Sequence, residues 1–146
     1  MKKITPRQYE TIEHTADIGL RIFGKDFKCL FRSAARGKFS LIACKYVAAK
    51  QDKRIVCKIV LSAKNREELL VSWLSELLTL SDIRNIIFTR VQFEKLTATT
   101  LKARAEAEKM DKNIYRVKTE IKAVTYHQLK LEKKDGCWQA EVFFDV

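Results

Sequence analysis

The sequence predicts an α+β fold: a single domain, residues 1–146, with two helices packed on mostly antiparallel β-sheet. Three observations predict it. Apolar residues recur every third or fourth position in two segments only, and they alternate with polar ones through most of the rest. Near the end, Asp135-Gly136 separates two alternating runs, a two-residue pair suited to the positive-φ turn of a hairpin.

In order, the polar stretch His14-Thr15-Ala16-Asp17 predicts a turn, and Ile18, Leu20 and Ile22 alternate behind it as a strand. From Lys25 to Ile42 the period changes. Phe27, Leu30, Phe31, Ala34, Ala35, Phe39 and Ile42 line one face of a helix. Arg54 to Ser62 is β-branched and alternating, a strand. Asn65 is a good helix N-cap, with Glu68 at the capping-box position and Leu70, Val71, Trp73, Leu74, Leu77 and Leu78 as the apolar face. Ile86 to Leu96 reads as a strand. Leu101 to Ala107 sets high helix propensity against strict alternation, and the alternation predicts a strand. Val117, Thr119, Ile121, Ala123, Thr125, His127, Leu129 and Leu131 fall on one face of a single long strand, with Lys122 and Tyr126 on the other. After the hairpin, Trp138, Ala140, Val142 and Phe144 alternate to the end. The predicted order is β-α-β-α followed by four antiparallel strands. Phe27, Phe31, Trp73 and Trp138 read as core.

Hydrophobic residues make up 47% of the 146, enough for a core, and no apolar run approaches the ~20 residues that span a bilayer. Lys2 and Lys3 lead into no apolar segment, so no signal peptide and a cytoplasmic location are expected. Cys29, Cys44, Cys57 and Cys137 are dispersed, which predicts free thiols and no disulfide partner. The net charge of +11 favours polyanionic partners, either nucleic acid or an acidic protein surface.

Most catalytic patterns are missing. The sequence has no phosphate-cradling G-x-x-x-x-G-K-[ST] or G-x-G-x-x-G loop and no G-x-S-x-G elbow. Its two histidines, His14 and His127, are far apart, and nothing ties either to a nucleophile. That argues for binding or assistance over catalysis. Asp145 and the Val146 carboxyl group are hard oxygen donors following a strand, and Asp17 heads another. Converging, they would suit Mg²⁺, Mn²⁺ or Ca²⁺, although an acid near a terminus is ordinarily just solvated. Lys25, Lys28, Arg32 and Arg36 stand at steps of three, four and four, predicting a basic helix ridge opposite the apolar face. Between Arg21 and Lys58 there are eleven Lys or Arg against two Asp. The ridge is either a solvated face or a docking surface for RNA phosphates or an acidic partner.

Four blocks carry a resemblance. Tyr9-Glu10 with Glu13-His14-Thr15-Ala16-Asp17-Ile18-Gly19, then Ser72-Trp73-Leu74-Ser75-Glu76-Leu77-Leu78, then Glu120-Ile121-Lys122-Ala123-Val124-Thr125-Tyr126-His127, and the ending Phe144-Asp145-Val146 together resemble the archease family. The resemblance implies a non-catalytic accessory protein of the RtcB-type RNA ligase, which joins tRNA exon halves and repairs broken RNA. It would promote guanylylation of the ligase and multiple turnover. It implies one divalent cation (Ca²⁺, Mg²⁺ or Mn²⁺) held by Asp17, Asp145 and Val146, with Lys122 a further functional residue and His14, Glu76 and His127 within the matching blocks. RNA would be reached through the ligase. A general chaperone or modulator of RNA-modifying enzymes, and a basic RNA-binding module, are the alternatives. The chain departs from the family pattern at Ala107, Tyr115 and Val117 and in its strong positive charge.

Overall fold

The computed structural model describes residues 8–13, 17–47 and 54–146. Its elements run β1 (Tyr9–Glu13), β2 (Asp17–Gly24), α1 (Phe27–Ile42), β3 (Ala43–Lys45), β4 (Ile55–Ser62), α2 (Arg66–Arg84), β5 (Ile86–Leu96), β6 (Thr100–Lys109), β7 (Tyr115–Val117), β8 (Ala123–Lys134) and β9 (Cys137–Asp145). The predicted α+β class holds, with two helices on antiparallel strands, but the strands do not form one continuous ladder. They divide into a four-stranded sheet ordered β1-β2-β9-β8, a three-stranded sheet ordered β4-β6-β5, and the small pair β3-β7. In the four-stranded sheet, strands that precede both helices are paired with strands that follow them.

Both helices start where capping chemistry places them. Asp26 is extended and its Oδ1 accepts the Cys29 N–H at 2.8 Å, satisfying a first-turn donor with no partner inside the helix. Asn65 does the same for Glu68 at 2.8 Å, while Glu68 Oε2 reaches back to the Lys64 N–H at 3.1 Å. α2 ends at Asn85, in the left-handed region at φ 52°, which asparagine tolerates better than most residues. The two helices bury Leu30, Phe31, Ala34, Leu69, Leu70, Trp73, Leu74 and Leu77 against Leu20, Ile22, Ala140, Val142 and Phe144 of the sheet. Trp73 is fully buried, and its indole N–H donates to the Phe31 carbonyl at 3.0 Å, so its single polar atom keeps a partner on leaving water. At the Asp135-Gly136 turn both residues take positive φ, 53° and 76°, as the hairpin requires.

Three expectations are corrected. The single strand proposed across 117–131 is two: Tyr115–Val117 pairs with Ala43–Lys45, and β8 begins only at Ala123. Between them the Lys118 and Thr119 N–H groups donate to the Ile42 carbonyl, tying the crossing segment to the end of α1. Val117 is left exposed while Ile121 is buried, so the proposed common face does not exist. Within β8 the register with β9 breaks between Thr125 and Lys130, and Gln128 sits at φ 52°. A bulge of this kind re-aims side chains, so strict alternation no longer predicts the face of His127. Phe27 and Trp138 are half-buried, not core; they stack at 4.5 Å, and the Arg66 guanidinium lies over both rings. Lys38, unremarked in the sequence, is fully buried between the helices, its Nζ donating to the Leu74 carbonyl at 3.0 Å.

Candidate functional site

β9 is the inner strand that β2 and β8 both flank, and its last residue has a partner on each side. Asp145 pairs with Asp17 of β2 and with Ala123 of β8. In an antiparallel sheet, partners directly opposite project from the same face with Cβ atoms about 4.5–5.5 Å apart. The two aspartates of the first and last sequence blocks, 128 positions apart in the chain, thus stand side by side at one end of the sheet. Asp17 is half-buried and Asp145 exposed. The Lys122 N–H donates to the Asp145 carbonyl at 2.8 Å, which anchors the lysine of the third block to the same corner. Val146 follows directly and is exposed.

The alternation of β2 and β9 sends Leu20, Ile22, Val142 and Phe144 into the core and leaves a ladder of outer pairs: Asp17 with Asp145, Gly19 with Phe143, Arg21 with Glu141. Arg21 bridges Glu10 and Glu141, with its Nε 3.0 Å from Glu141, and these hydrogen bonds hold its guanidinium pKa above the ordinary value. At the far end of this ladder the pair is of like charge, a combination that disfavours the sheet unless a cation offsets it.

Two carboxylates with main-chain oxygens are the donors that a hard, oxygen-preferring cation takes. Among the described residues no group of three or more His, Cys, Asp or Glu side chains gathers at metal-binding distance. Within that set Glu76 and His127 form no such group with Asp17 and Asp145. Residues Asp17, Asp145, Val146 and Lys122 are brought together. His127 is on β8 beyond Thr125, exposed, its ring 6.2 Å edge-on from Phe143, which places it on the outer face next to the pair but beyond the corner itself. Glu76 is half-buried on α2. His14 lies outside the described residues.

The basic ridge is only partly helical. Lys25 precedes the Asp26 cap and is not on α1, because the aspartate's capping bond sets the start of the helix after it. Lys28 and Arg36 are exposed on α1. Arg32 turns along the edge of β5, its Nε donating to the Val91 carbonyl at 3.4 Å. Sequence reasoning missed Arg90, on this edge strand, and Arg104, on the central strand β6 opposite Gln92. They were legible as the outward positions next to buried Val91, and between Ala103 and Ala105. All four cysteines are free. No helix among the described residues is long and apolar enough to cross a membrane.

Comparison with known proteins covers the whole arrangement. The model of the Archease protein family matches residues 9–146. A protein archease of Methanosarcina mazei is 37% identical over 144 residues, covering 96% of this chain and 97% of its own. One from Pyrococcus abyssi is 36% identical, with 96% and 99% covered. The solution structure of Methanobacterium thermoautotrophicum protein 1598 superposes with a TM-score of 0.73 at 27% identity, over 95% of this chain and 99% of that one. The crystal structure of a Thermotoga maritima archease, described as a possible chaperone, shares the fold with a TM-score of 0.61 at 21% identity, over 97% and 100%.

Proposed function

This chain belongs to the archease family, and from that premise we propose that it is a metal-binding accessory protein of an RtcB-type RNA ligase, promoting the ligase's guanylylation and multiple turnover. The observation that carries the reading is the register of β2 against β9, which sets Asp17 opposite Asp145 beside Val146 and the anchored Lys122. The names of the relatives denote no reaction, and one is described as a possible chaperone. An assisting role follows more simply from that than a catalytic one.

Asp17, Asp145 and the Val146 main-chain oxygens would hold one divalent cation, Ca²⁺, Mg²⁺ or Mn²⁺. Such an ion offsets charge on phosphate groups during nucleotide transfer. The chain's own residues do the positioning. The two paired strands keep the carboxylates on one face, so little conformational freedom remains to be given up when they converge. Lys122, its main chain fixed to Asp145, presents a flexible positive charge at the same corner for a phosphate or a carboxylate of the ligase. Arg21, engaged by Glu10 and Glu141, holds the β1-β2-β9 face in register behind it.

The test is a turnover assay with the ligase in excess of this protein. The wild type should convert single-turnover ligation into multiple turnover, and Asp17→Ala or Asp145→Ala should not. Normal stimulation by both variants would sink the assignment. A chaperone reading predicts something else, suppression of ligase aggregation with no change in turnover number.

A further inference from the structure

The outer face of the β4-β6-β5 sheet is cationic by simple alternation. Cys57, Ile59, Ala103, Ala105, Val91 and Phe93 point into the core, and the residues between them point out. Register then places Lys58, Arg104 and Gln92 in one row across the three strands and Val56, Glu106 and Arg90 in the next. A shallow hollow of about 220 Å³ opens here between Arg54, Val56, Arg90, Gln92, Arg104 and Glu106, three arginines against one carboxylate. It shares Arg90 and Gln92 with a second hollow, about 460 Å³, that lies between the edge of β5 and α1 and is bordered by Arg32 and Arg36. Those two arginines border a third, about 380 Å³, which reaches Lys25. The hollows are joined end to end by shared residues. Five arginines and a lysine, drawn from β5, β6, α1 and the segments leading into β4 and α1, thus line one track.

We infer that this track binds the phosphodiester backbone of single-stranded nucleic acid. That the strand is RNA in the cell rests on the function proposed above; the phosphate chemistry does not. Guanidinium groups present paired donors that match phosphate oxygens, and arginine dominates the track. Arg32 is held in place by the Val91 carbonyl and by the Phe93 ring 5.7 Å away, and Arg36 donates to Gln8 Oε1 at 3.0 Å, so part of the ordering cost is met before binding. Arg54 is 3.4 Å from Glu106, whereas among the described residues Arg90 and Arg104 have no ion-pair partner. An acidic protein is a poorer fit. Protein interfaces use arginine, but set it around apolar and aromatic anchors, and the exposed neighbours of Arg90 in the middle of this track are Thr89 and Gln92. A duplex fits less well too. The track turns from the sheet face round the β5 edge onto α1, a path a flexible strand follows and a stiff helix resists. The aromatics that line it, Phe23 and Phe88, are half-buried and buried, so base stacking contributes little and sequence is not read.

The experiment titrates the full chain into a labelled 12-nucleotide oligouridylate at several salt concentrations, with no ligase present, so its outcome is independent of the turnover assay. Four or five phosphates engaged give a log–log salt slope of about −3. Arg90→Glu/Arg104→Glu should bind at least ~tenfold more weakly with a shallower slope, since a cation that no longer meets its phosphate takes both affinity and salt dependence with it. Lys112→Glu/Lys118→Glu, which changes net charge equally at exposed positions outside the track, should bind close to wild type. DNA of the same length should match RNA, and the hybridised duplex should bind less tightly. Absence of salt-dependent binding, equal weakening in both double variants, tighter binding of the duplex, or equal affinity for polyglutamate would each overturn the inference. Circular dichroism and thermal melting establish that both double variants are folded.

Discussion

Asp17 and Asp145 face each other across β2 and β9, two carboxylates on one face of one sheet, at the end where Lys122 is tied to the Asp145 main chain. Opposed carboxylates repel, and a divalent cation bound between them would offset that repulsion. Like charges directly opposite each other weaken a sheet. In chelator, Asp145→Asn should therefore melt at or slightly above the wild type. With a divalent ion at 100 times its dissociation constant the wild type should gain about 2.7 kcal/mol, and the variant should gain much less. Thermal shift in chelator, Mg²⁺, Mn²⁺ and Ca²⁺ reads both effects, and a wild type indifferent to all three ions would remove the metal from the proposal.

Gly19 holds this pair's neighbourhood together by being small. A Cβ there would lie 2.6 Å from Phe143 Cε1 and 2.9 Å from its Cδ1. Phe143 is buried and packs against His127, so it cannot swing away freely. Gly19→Ala should destabilise by about 1–3 kcal/mol through overpacking, and Gly19→Ala/Phe143→Leu should recover part of it. Urea denaturation measures both; additive effects would contradict the close approach.

Lys38 predicts a pH dependence. Burial between the helices drives its pKa well below the ordinary 10.5, with Asp82 opposing weakly. The unfolded chain therefore holds a proton that the folded chain gives up, and stability rises with pH between the folded and unfolded values. Below that window the full cost of burying the charged amine is present; above the unfolded value it is gone. Lys38→Met removes the group, so the wild type should gain stability relative to the variant as pH is raised from 7 towards 10. Denaturant titrations of both proteins at these two pH values test the sign, and an unchanged difference between them would refute it.

Gln128 holds a left-handed conformation at φ 52° within the β8 irregularity. A non-glycine residue there costs about 1–2 kcal/mol, partly offset by the greater chain entropy glycine gives up on folding. Gln128→Gly should accordingly stabilise by about 0.5 kcal/mol without altering the Asp17–Asp145 register. Urea denaturation reads the change, and a destabilised variant would mean that the glutamine side chain's interactions outweigh the strain.

Much of the fold was legible because its causes are local. Asp135-Gly136 makes its turn, and Asn65 with Glu68 starts α2, through bonds spanning a few residues. Leu101–Ala107 is a strand as its alternation required, against its helix propensity, because Ala103, Ala105 and Ala107 are all buried on one side. The failure at 117–131 has an equally specific cause. Its alternation was consistent with one strand, but Tyr115–Val117 found a partner in Ala43–Lys45, and the Ile42 carbonyl captured the two N–H groups that follow. The candidate site divides the same way. Asp145 at the ending and Asp17 at the head of β2 were visible as oxygen donors, but spacing alone offered no reason for them to meet.

The sequence by itself determined which segments are helices and most of the strands, where α2 begins, which faces are apolar, and the likeness to its family. Only the tertiary structure decided that β2 lies beside β9, that Arg32 and Arg36 border the same track as Arg90 and Arg104, and that Lys38 is sealed between two helices. Periodicity and capping depend on neighbours a few residues away, so they are written in the chain. Strand partnership closes loops of a hundred residues or more, and it is settled by which buried faces fit together once the whole core has formed.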